Sequence, residues 1–288
     1  MPFPASSVGL RLKPHLTDVS TRAVLAYAAG LGASEAPYLD DVQAGGLRAL
    51  PFQCVTPEWP VLVSMREILG DDLTLDEARR GVHAIQDSIF HRPMRPGDQL
   101  VTEGQLVSAT TNRAGVLTVC KLVTSERATG EAVTTTWTSS IYRDVALAGE
   151  GVVIDRPPGI DPADVAPPGV GAETTTIHIP KQMAHVYTEC ADIWNPIHSE
   201  RAVALAAGLP DVILHGTATW ALAGLTILRR YGDDDVGRLK RMTGRFVGMV
   251  IPGEDITVRH EQGGSGAVRF EVRTSAGAAA IAQGVAWL

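Results

Sequence analysis

The chain has 288 residues, which suffices for two domains of average size that each bury a core of their own. Its hydrophobic share of 45% and charged share of 20% are typical of a soluble globular protein and exclude a disordered or fibrous one. The formal net charge is -7, which provides no basic excess to bind the phosphates of a nucleic acid, so we expect no nucleic-acid partner.

The cysteine pattern and the apolar segments limit the compartment and the cofactors. Cys54, Cys120 and Cys190 are widely spaced and form no CxxC pair, which argues against a disulfide framework and against a zinc site. Because the sequence also lacks a glycine-rich dinucleotide loop, we expect neither a metal nor a redox cofactor. The start of the chain has no secretion-signal pattern and no apolar stretch approaches the length of a membrane span, so we expect a cytoplasmic protein that makes no membrane contact.

The first half of the chain has helical patterns followed by strand patterns. Segments 20–32 and 57–70 are predicted helices, and segments 115–126 and 132–143 have the alternation of antiparallel strands. The next segment, 144–173, contains two Pro-Pro pairs and several glycines, which allow neither a long helix nor a central strand. We interpret it as the linker between an N-terminal domain, residues 1–143, and a C-terminal domain, residues 174–288.

The second half repeats this order. Residues 199–207 are a predicted helix with Ser199 as its cap and Gly208 as its stop. Residues 217–230 are apolar nearly all round and end in two arginines, as expected for a buried helix with a basic C-terminus. Helices followed by antiparallel strands indicate an α+β fold.

A short phrase occurs in both halves and indicates a diverged duplication. The phrase consists of Phe, five further residues, Pro-Gly, an acid, any residue and an aliphatic, and it begins at Phe90 and again at Phe246. The offset between the copies is constant at 156 residues.

The reactive side chains of the second half are concentrated around Asn195-Pro196. Because Pro196 has no N–H and favours an extended Asn195, an exposed turn between helices is predicted here. Asp192 and His198 flank this turn and could approach one water, the imidazole exchanging a proton near neutral pH and the carboxylate orienting the water. Asn195 is expected to hold the turn by hydrogen bonds to the backbone.

The order of these residues resembles the signature of MaoC-like dehydratases and type 2 enoyl-CoA hydratases. That signature has an aromatic residue, Asp, Asn-Pro, an aliphatic and His, then a helix, and then a His-Gly that stands here at His215-Gly216. The resemblance covers residues 174–288 well and the first half in outline. It implies a double hot-dog fold, in which two bent antiparallel sheets each wrap around a long central helix. The degenerate first half has Leu39 where the second has His198, so we expect it to be catalytically silent.

The resemblance implies a reversible hydration of a trans-2-enoyl thioester, carried by coenzyme A or an acyl carrier protein, to the (R)-3-hydroxyacyl thioester. Asp192, His198 and Asn195 would form the catalytic set, the Gly216 amide would bind the thioester oxygen at the start of the central helix, and His215 would brace that turn. A homodimer is compatible with this interpretation. Local cations, for which Arg241 and Arg245 are candidates, could hold the phosphates of coenzyme A.

The spacing within the turn departs from the family pattern. Asp and His are usually five residues apart in this family, whereas Asp192 and His198 are six apart. We expect Ile193 or Trp194 to be looped out, so that a carboxylate oxygen of Asp192 stays within one water of the His198 ring.

Two other functions fit the same residues. A hot-dog thioesterase would use Asp192 or Glu189 to direct water at the thioester carbonyl, and release of free coenzyme A would reveal it. A non-catalytic acyl-thioester-binding protein would use residues 195–198 only to shape a groove, and it would bind an enoyl thioester without turnover.

Overall fold

In each half of the chain the helices precede a run of four antiparallel strands, as the sequence predicts, but a further antiparallel strand also lies before the first helix of each half. The structure, a computed structural model, describes residues 2–288 apart from the side chain of residue 71. The helices are α1 (Thr21–Gly30), α2 (Ala36–Leu39), α3 (Val55–Leu69), α4 (Leu75–Arg79), α5 (Met183–Ala191), α6 (Arg201–Ala206) and α7 (Gly216–Tyr231). The strands are β1 (Phe3–Pro4), β2 (His15–Asp18), β3 (Gly81–Phe90), β4 (Gln99–Asn112), β5 (Gly115–Glu126), β6 (Ala132–Arg143), β7 (Leu147–Ala148), β8 (Val152–Val153), β9 (Glu173–His178), β10 (Arg241–Phe246), β11 (Asp255–Gln262), β12 (Val268–Thr274) and β13 (Ala279–Trp287).

The chain forms two compact units that do not simply follow its order. The first contains the residues up to Asp18, Pro57–His91 and Gln99–Gly159, and the second contains Val19–Thr56, Arg92–Asp98 and Ile160–Leu288. Helices α1 and α2, which belong to the N-terminal half, are therefore part of the second unit. The domain boundaries expected around residues 144–173 stay a prediction.

In the first unit an antiparallel sheet with the order β2-β4-β5-β6-β3 packs against α3. Strand β5 alternates between buried and partly exposed residues along its length, which is the pattern of a sheet with one face on a core. Val61 and Met65 of α3 are buried in one cluster with Leu106 and Leu122 of the sheet. Helix α3 continues through Pro60.

In the second unit an antiparallel sheet with the order β10-β13-β12-β11-β9 contacts α7 through four strands, β10 to β13. Helix α7 is buried continuously from Ala218 to Leu228, because its sequence is apolar nearly all round. Each unit is thus a sheet around a long helix, which is the predicted hot-dog arrangement within an α+β fold. No helix of residues 2–288 is long and apolar enough to cross a membrane.

The repeated phrase occupies the same place between two strands in both halves of the chain. The first copy begins at the end of β3 and leads into β4, and the second begins at the end of β10 and leads into β11. Gly97 and Gly253 lie in the two turns with φ of +97° and +100°, a backbone region that favours glycine. The two phrases therefore form the same strand-turn-strand element, as a duplication predicts.

The Pro- and Gly-rich segment 144–173 is attached to both units along its length. In the first unit, the carboxylate of Asp155 accepts hydrogen bonds from Lys121 at 2.6 Å and from the Trp137 indole at 3.3 Å. In the second unit, the Gly169 carbonyl accepts a hydrogen bond from Arg259 at 2.8 Å, and Asp164 accepts one from Ser265 at 2.7 Å. The segment contains two-residue strands and no helix among its residues, in line with its composition.

Candidate active site

The turn that follows α5 is irregular, as the proline predicts. Asp192 ends the helix in the left-handed region, with φ of 53° and ψ of 41°, and its backbone N–H is bound to the Thr188 carbonyl. Ile193 is buried with 5% of its surface exposed, whereas Trp194 is 61% exposed. The side chain that leaves the turn is therefore that of Trp194.

Asn195 holds the start of the next turn. Its backbone is extended, with φ of -143° and ψ of 121°, as expected for a residue before proline. Its side-chain oxygen accepts a hydrogen bond from the Ile197 N–H at 3.4 Å and caps the short 3-10 turn Pro196–His198. This geometry supports a scaffold role for Asn195, because its side-chain oxygen is bound to the backbone of the turn.

His198 is fixed by a backbone carbonyl. Its Nδ1 lies 2.8 Å from the Ile213 carbonyl oxygen, which can only accept, so Nδ1 carries the proton and Nε2 has a lone pair. Burial lowers the pKa of His198 to about 4, although the Ile213 carbonyl acts in the opposite direction. Near neutral pH the ring is therefore an uncharged base.

His215 lies directly against His198. The two ring centroids are 3.7 Å apart and the planes are inclined by 23°. Only 2% of His215 is exposed, and its Nε2 is 3.4 Å from the Thr188 hydroxyl. Burial first, and then the neighbouring His198, lower the pKa of His215 to about 2, so a proton added to this pair goes to His198.

The first turn of α7 lies next to this histidine pair. The backbone N–H groups of Gly216 and Thr217 donate to no described residue, as expected at the start of a 16-residue helix, where they point along the positive end of the dipole. A Cβ at residue 216 would lie 3.1 Å from the Phe246 ring, so close packing also favours glycine there.

A chain of hydroxyl groups reaches the same turn and has no signal in the sequence. The Tyr187 hydroxyl donates to the Thr217 hydroxyl oxygen at 3.3 Å, and the hydroxyls of Tyr187 and Tyr27 are 3.2 Å apart. Tyr27 belongs to α1 and lies 160 residues before Tyr187, which no local pattern could connect. Both phenols are buried, with exposures of 1% and 0%.

The structure places no carboxylate expected at the site in contact with the His198–His215 pair or with the first turn of α7. Asp192 and Glu189 are exposed, and the side chain of neither makes a hydrogen bond or an ion pair with any residue in the described range 2–288. No contact therefore supports the expected water shared by Asp192 and His198, and a catalytic role for Asp192 stays a prediction.

The candidate phosphate-binding arginines lie on β10. Arg241 is stacked over the Trp287 ring at 4.9 Å, and Arg245 donates to the Gln283 side chain at 3.0 Å. Their assignment to coenzyme A stays a prediction. Among residues 2–288, no three His, Cys, Asp or Glu side chains are grouped as metal ligands would be.

Known proteins resemble the chain along almost its whole length. Residues 165–283 match the MaoC like domain, and residues 6–136 match the FAS1-like dehydratase domain region. The chain is 24% identical over 279 residues to a probable enoyl-CoA hydratase 2 of Dictyostelium discoideum, with 96% of this chain and 93% of that protein covered. An enoyl-CoA hydratase of Mycobacterium tuberculosis is 27% identical over 291 residues, with coverages of 97% and 96%. The crystal structure of a MaoC-like dehydratase from Phytophthora capsici has a TM-score of 0.80 at 21% identity, with coverages of 98% and 96%.

The fold and the site together define a double hot-dog protein whose second half carries an Asn-Pro-Ile-His turn beside the first turn of a buried helix. The second half of the chain is a MaoC-like dehydratase domain. The family predicted from the sequence is thus confirmed, and so is its double hot-dog fold.

Proposed function

We propose that the protein adds water reversibly to a trans-2-enoyl thioester and forms the (R)-3-hydroxyacyl thioester. The observation that carries the proposal is the fixed tautomer of His198, whose Nδ1–H is bound to the Ile213 carbonyl at 2.8 Å and whose Nε2 can accept a proton. The MaoC-like domain makes the chain a hydro-lyase, and two relatives matched over more than nine tenths of their length are named as enoyl-CoA hydratases.

The hydration needs one base and one site for negative charge. Nε2 of His198 takes a proton from water while the water oxygen bonds to C3 of the enoyl group. The electron pair of the C2–C3 double bond moves toward the thioester carbonyl, whose oxygen becomes an enolate oxygen. The free N–H of Gly216, at the positive end of α7, stabilises that charge.

The same histidine can complete the reaction. The imidazolium formed in the first step returns its proton to C2, the enolate collapses to the thioester, and the balance is the addition of one water. This sequence needs no carboxylate, in keeping with the exposed Asp192. Read backwards, it is the dehydration of a 3-hydroxyacyl thioester.

The proposal also includes the carrier of the acyl group, which is coenzyme A or an acyl carrier protein. Coenzyme A fits the names of the relatives, and Arg241 and Arg245 are the candidate residues for its phosphates. An acyl carrier protein presents the same thioester on a pantetheine arm, so the two carriers share the chemistry at His198.

A spectrophotometric screen tests the function. Trans-2-enoyl-CoA thioesters of graded length and branching should lose their enoyl absorbance, release no free coenzyme A and give an (R) product, with EDTA having no effect. Stoichiometric release of coenzyme A would instead indicate a thioesterase, and binding without turnover would indicate the non-catalytic alternative.

A further inference from the structure

Thr217 differs from the buried threonines of α5 and α7 in where its hydroxyl proton can go. Thr188, Thr219 and Thr226 each donate to the carbonyl four residues earlier, at 2.9, 3.3 and 2.9 Å. The corresponding carbonyl for Thr217 is that of Ile213, which accepts the Nδ1–H of His198. The Thr217 hydroxyl donates to no described residue.

The oxygen of Thr217 is nevertheless held in place. It accepts a hydrogen bond from the Tyr187 hydroxyl at 3.3 Å. Because the Tyr187 proton is directed at Thr217, the Tyr187 oxygen accepts a hydrogen bond from the Tyr27 hydroxyl at 3.2 Å. Burial raises the pKa of Tyr187 to about 12, so the phenol keeps its proton and remains a donor. Because one lone pair of Thr217 is directed at the buried Tyr187, its own proton points away from that phenol.

The first two residues of α7 are accessible from outside the core. Gly216 and Thr217 are partly exposed, whereas the next residues of α7 are buried. The unpartnered hydroxyl proton and the free N–H of Gly216 thus belong to one accessible turn. A hydroxyl fixed in advance by its neighbours loses little entropy when it binds a developing charge.

We propose that the Thr217 hydroxyl is a second hydrogen-bond donor to the thioester carbonyl oxygen, beside the Gly216 amide, and that Tyr187 and Tyr27 position it. The role rests on the proposed hydration, since the negative charge of the enolate forms on that oxygen. Thr217 is a catalytic residue in this scheme because it touches the substrate, and the two tyrosines are positioning residues.

The direct test compares Thr217→Val with Thr217→Ser in enoyl-CoA hydration. Valine keeps the branched shape and removes the hydroxyl, and loss of one such donor should lower kcat by about 10² with KM changed by less than about threefold. Serine restores the donor and should keep kcat within about fivefold of the wild type. Thr226→Val, the same substitution farther along α7, serves as the matched control and should leave kcat unchanged.

The positioning role has its own readout. Tyr187→Phe should lower kcat by about fivefold to tenfold, because the Thr217 hydroxyl then loses its orientation. In a Thr217→Val background the same change should add no further loss, since Tyr187 acts only through Thr217. Additive losses would overturn the positioning role, because a merely structural tyrosine would produce them.

The outcomes separate this proposal from the function on which it rests. Full activity of Thr217→Val beside an inactive His198→Ala would overturn the role of Thr217 alone. Equal losses in Thr217→Val and Thr217→Ser would also overturn it, since only packing would then matter. If Thr217→Val does not fold, an unchanged kcat in Tyr187→Phe would overturn it equally. A wild-type protein that hydrates no enoyl thioester would overturn the proposed function and this inference together.

Discussion

His198 and His215 are stacked with their ring centroids 3.7 Å apart, and the Nδ1 of His198 is bound to the Ile213 carbonyl, which fixes its tautomer. His215 is the more deeply buried of the two and braces the start of α7, where its carbonyl accepts the N–H groups of Ala218 and Thr219. One histidine is thus prepared to exchange a proton, and the other keeps the first turn of the helix in place.

The exposed position of Asp192 leads to a prediction about its carboxylate. Asp192→Asn should keep kcat within about threefold of the wild type, because the exposed carboxylate makes no hydrogen bond or ion pair with any described residue, His198 included. Enoyl-CoA hydration rates at saturating substrate measure this. A loss of 10² or more would show that the carboxylate enters the site during turnover, as the sequence alone suggests.

The low pKa of His198 determines the acid limb of the rate profile. An unperturbed imidazole would lose its base form below its usual value of 6.5, whereas this ring keeps it down to about 4. We expect kcat/KM to be flat between pH 6 and pH 8, with a decline only toward about pH 4. A half-maximal value near pH 6.5 would mean that the ring is more solvated than its contacts indicate.

The depressed pKa values of the stacked pair His198 and His215 also affect stability, as do those of His83 and His260. A His whose folded pKa lies below the unfolded value of 6.5 binds fewer protons when folded, so its contribution to stability is present above 6.5 and is lost progressively as the pH falls toward the folded value. The thermal unfolding midpoint should therefore fall between pH 7 and pH 5. His215→Phe removes one of these groups, so the fall in this variant should be smaller. A fall of equal size in both proteins would contradict this assignment.

Gly224 lies in the middle of α7, where alanine normally stabilises a helix by about 1 kcal/mol. Here a Cβ would overlap the Phe52 ring, which packs edge-on against Trp220 with centroids 5.4 Å apart. Gly224→Ala should therefore lower the free energy of unfolding by about 1 to 3 kcal/mol. Chemical denaturation measures it, and Phe52→Leu in the same background should recover part of the loss.

Sequence patterns predicted the regular elements well. Strands β5 and β6 coincide with the predicted segments 115–126 and 132–143, because alternation and β-branched residues mark them clearly. Helices α1, α3, α6 and α7 also lie in the predicted segments, but the cap of α6 is wrong, since the helix begins at Arg201 with Glu200 instead of Ser199 as its N-cap. The fold class and the family followed from these elements together with the motif around Asn195.

The details of the site were less accessible to the sequence. Pro196 predicted a turn, but the left-handed backbone of Asp192 depends on how the turn accommodates one extra residue. The sequence also left open which side chain leaves the turn, and the structure buries Ile193 and exposes Trp194. The Tyr27–Tyr187 contact joins residues 160 positions apart and is formed only by tertiary packing of α1 against α5.

The measurement that tests the central claim most directly is the hydration rate of His198→Ala on the best enoyl-CoA thioester. Removal of a positioned acid-base group should lower kcat by about 10² to 10⁴ while the circular dichroism spectrum is kept. His91→Ala is the matched control, since the His91 side chain is exposed on the first unit with its ring 3.0 Å from the Thr135 hydroxyl, and it should keep the wild-type rate. Loss of activity in His198→Ala alone is the predicted result, and an active His198→Ala, or equal losses in both variants, would contradict the account.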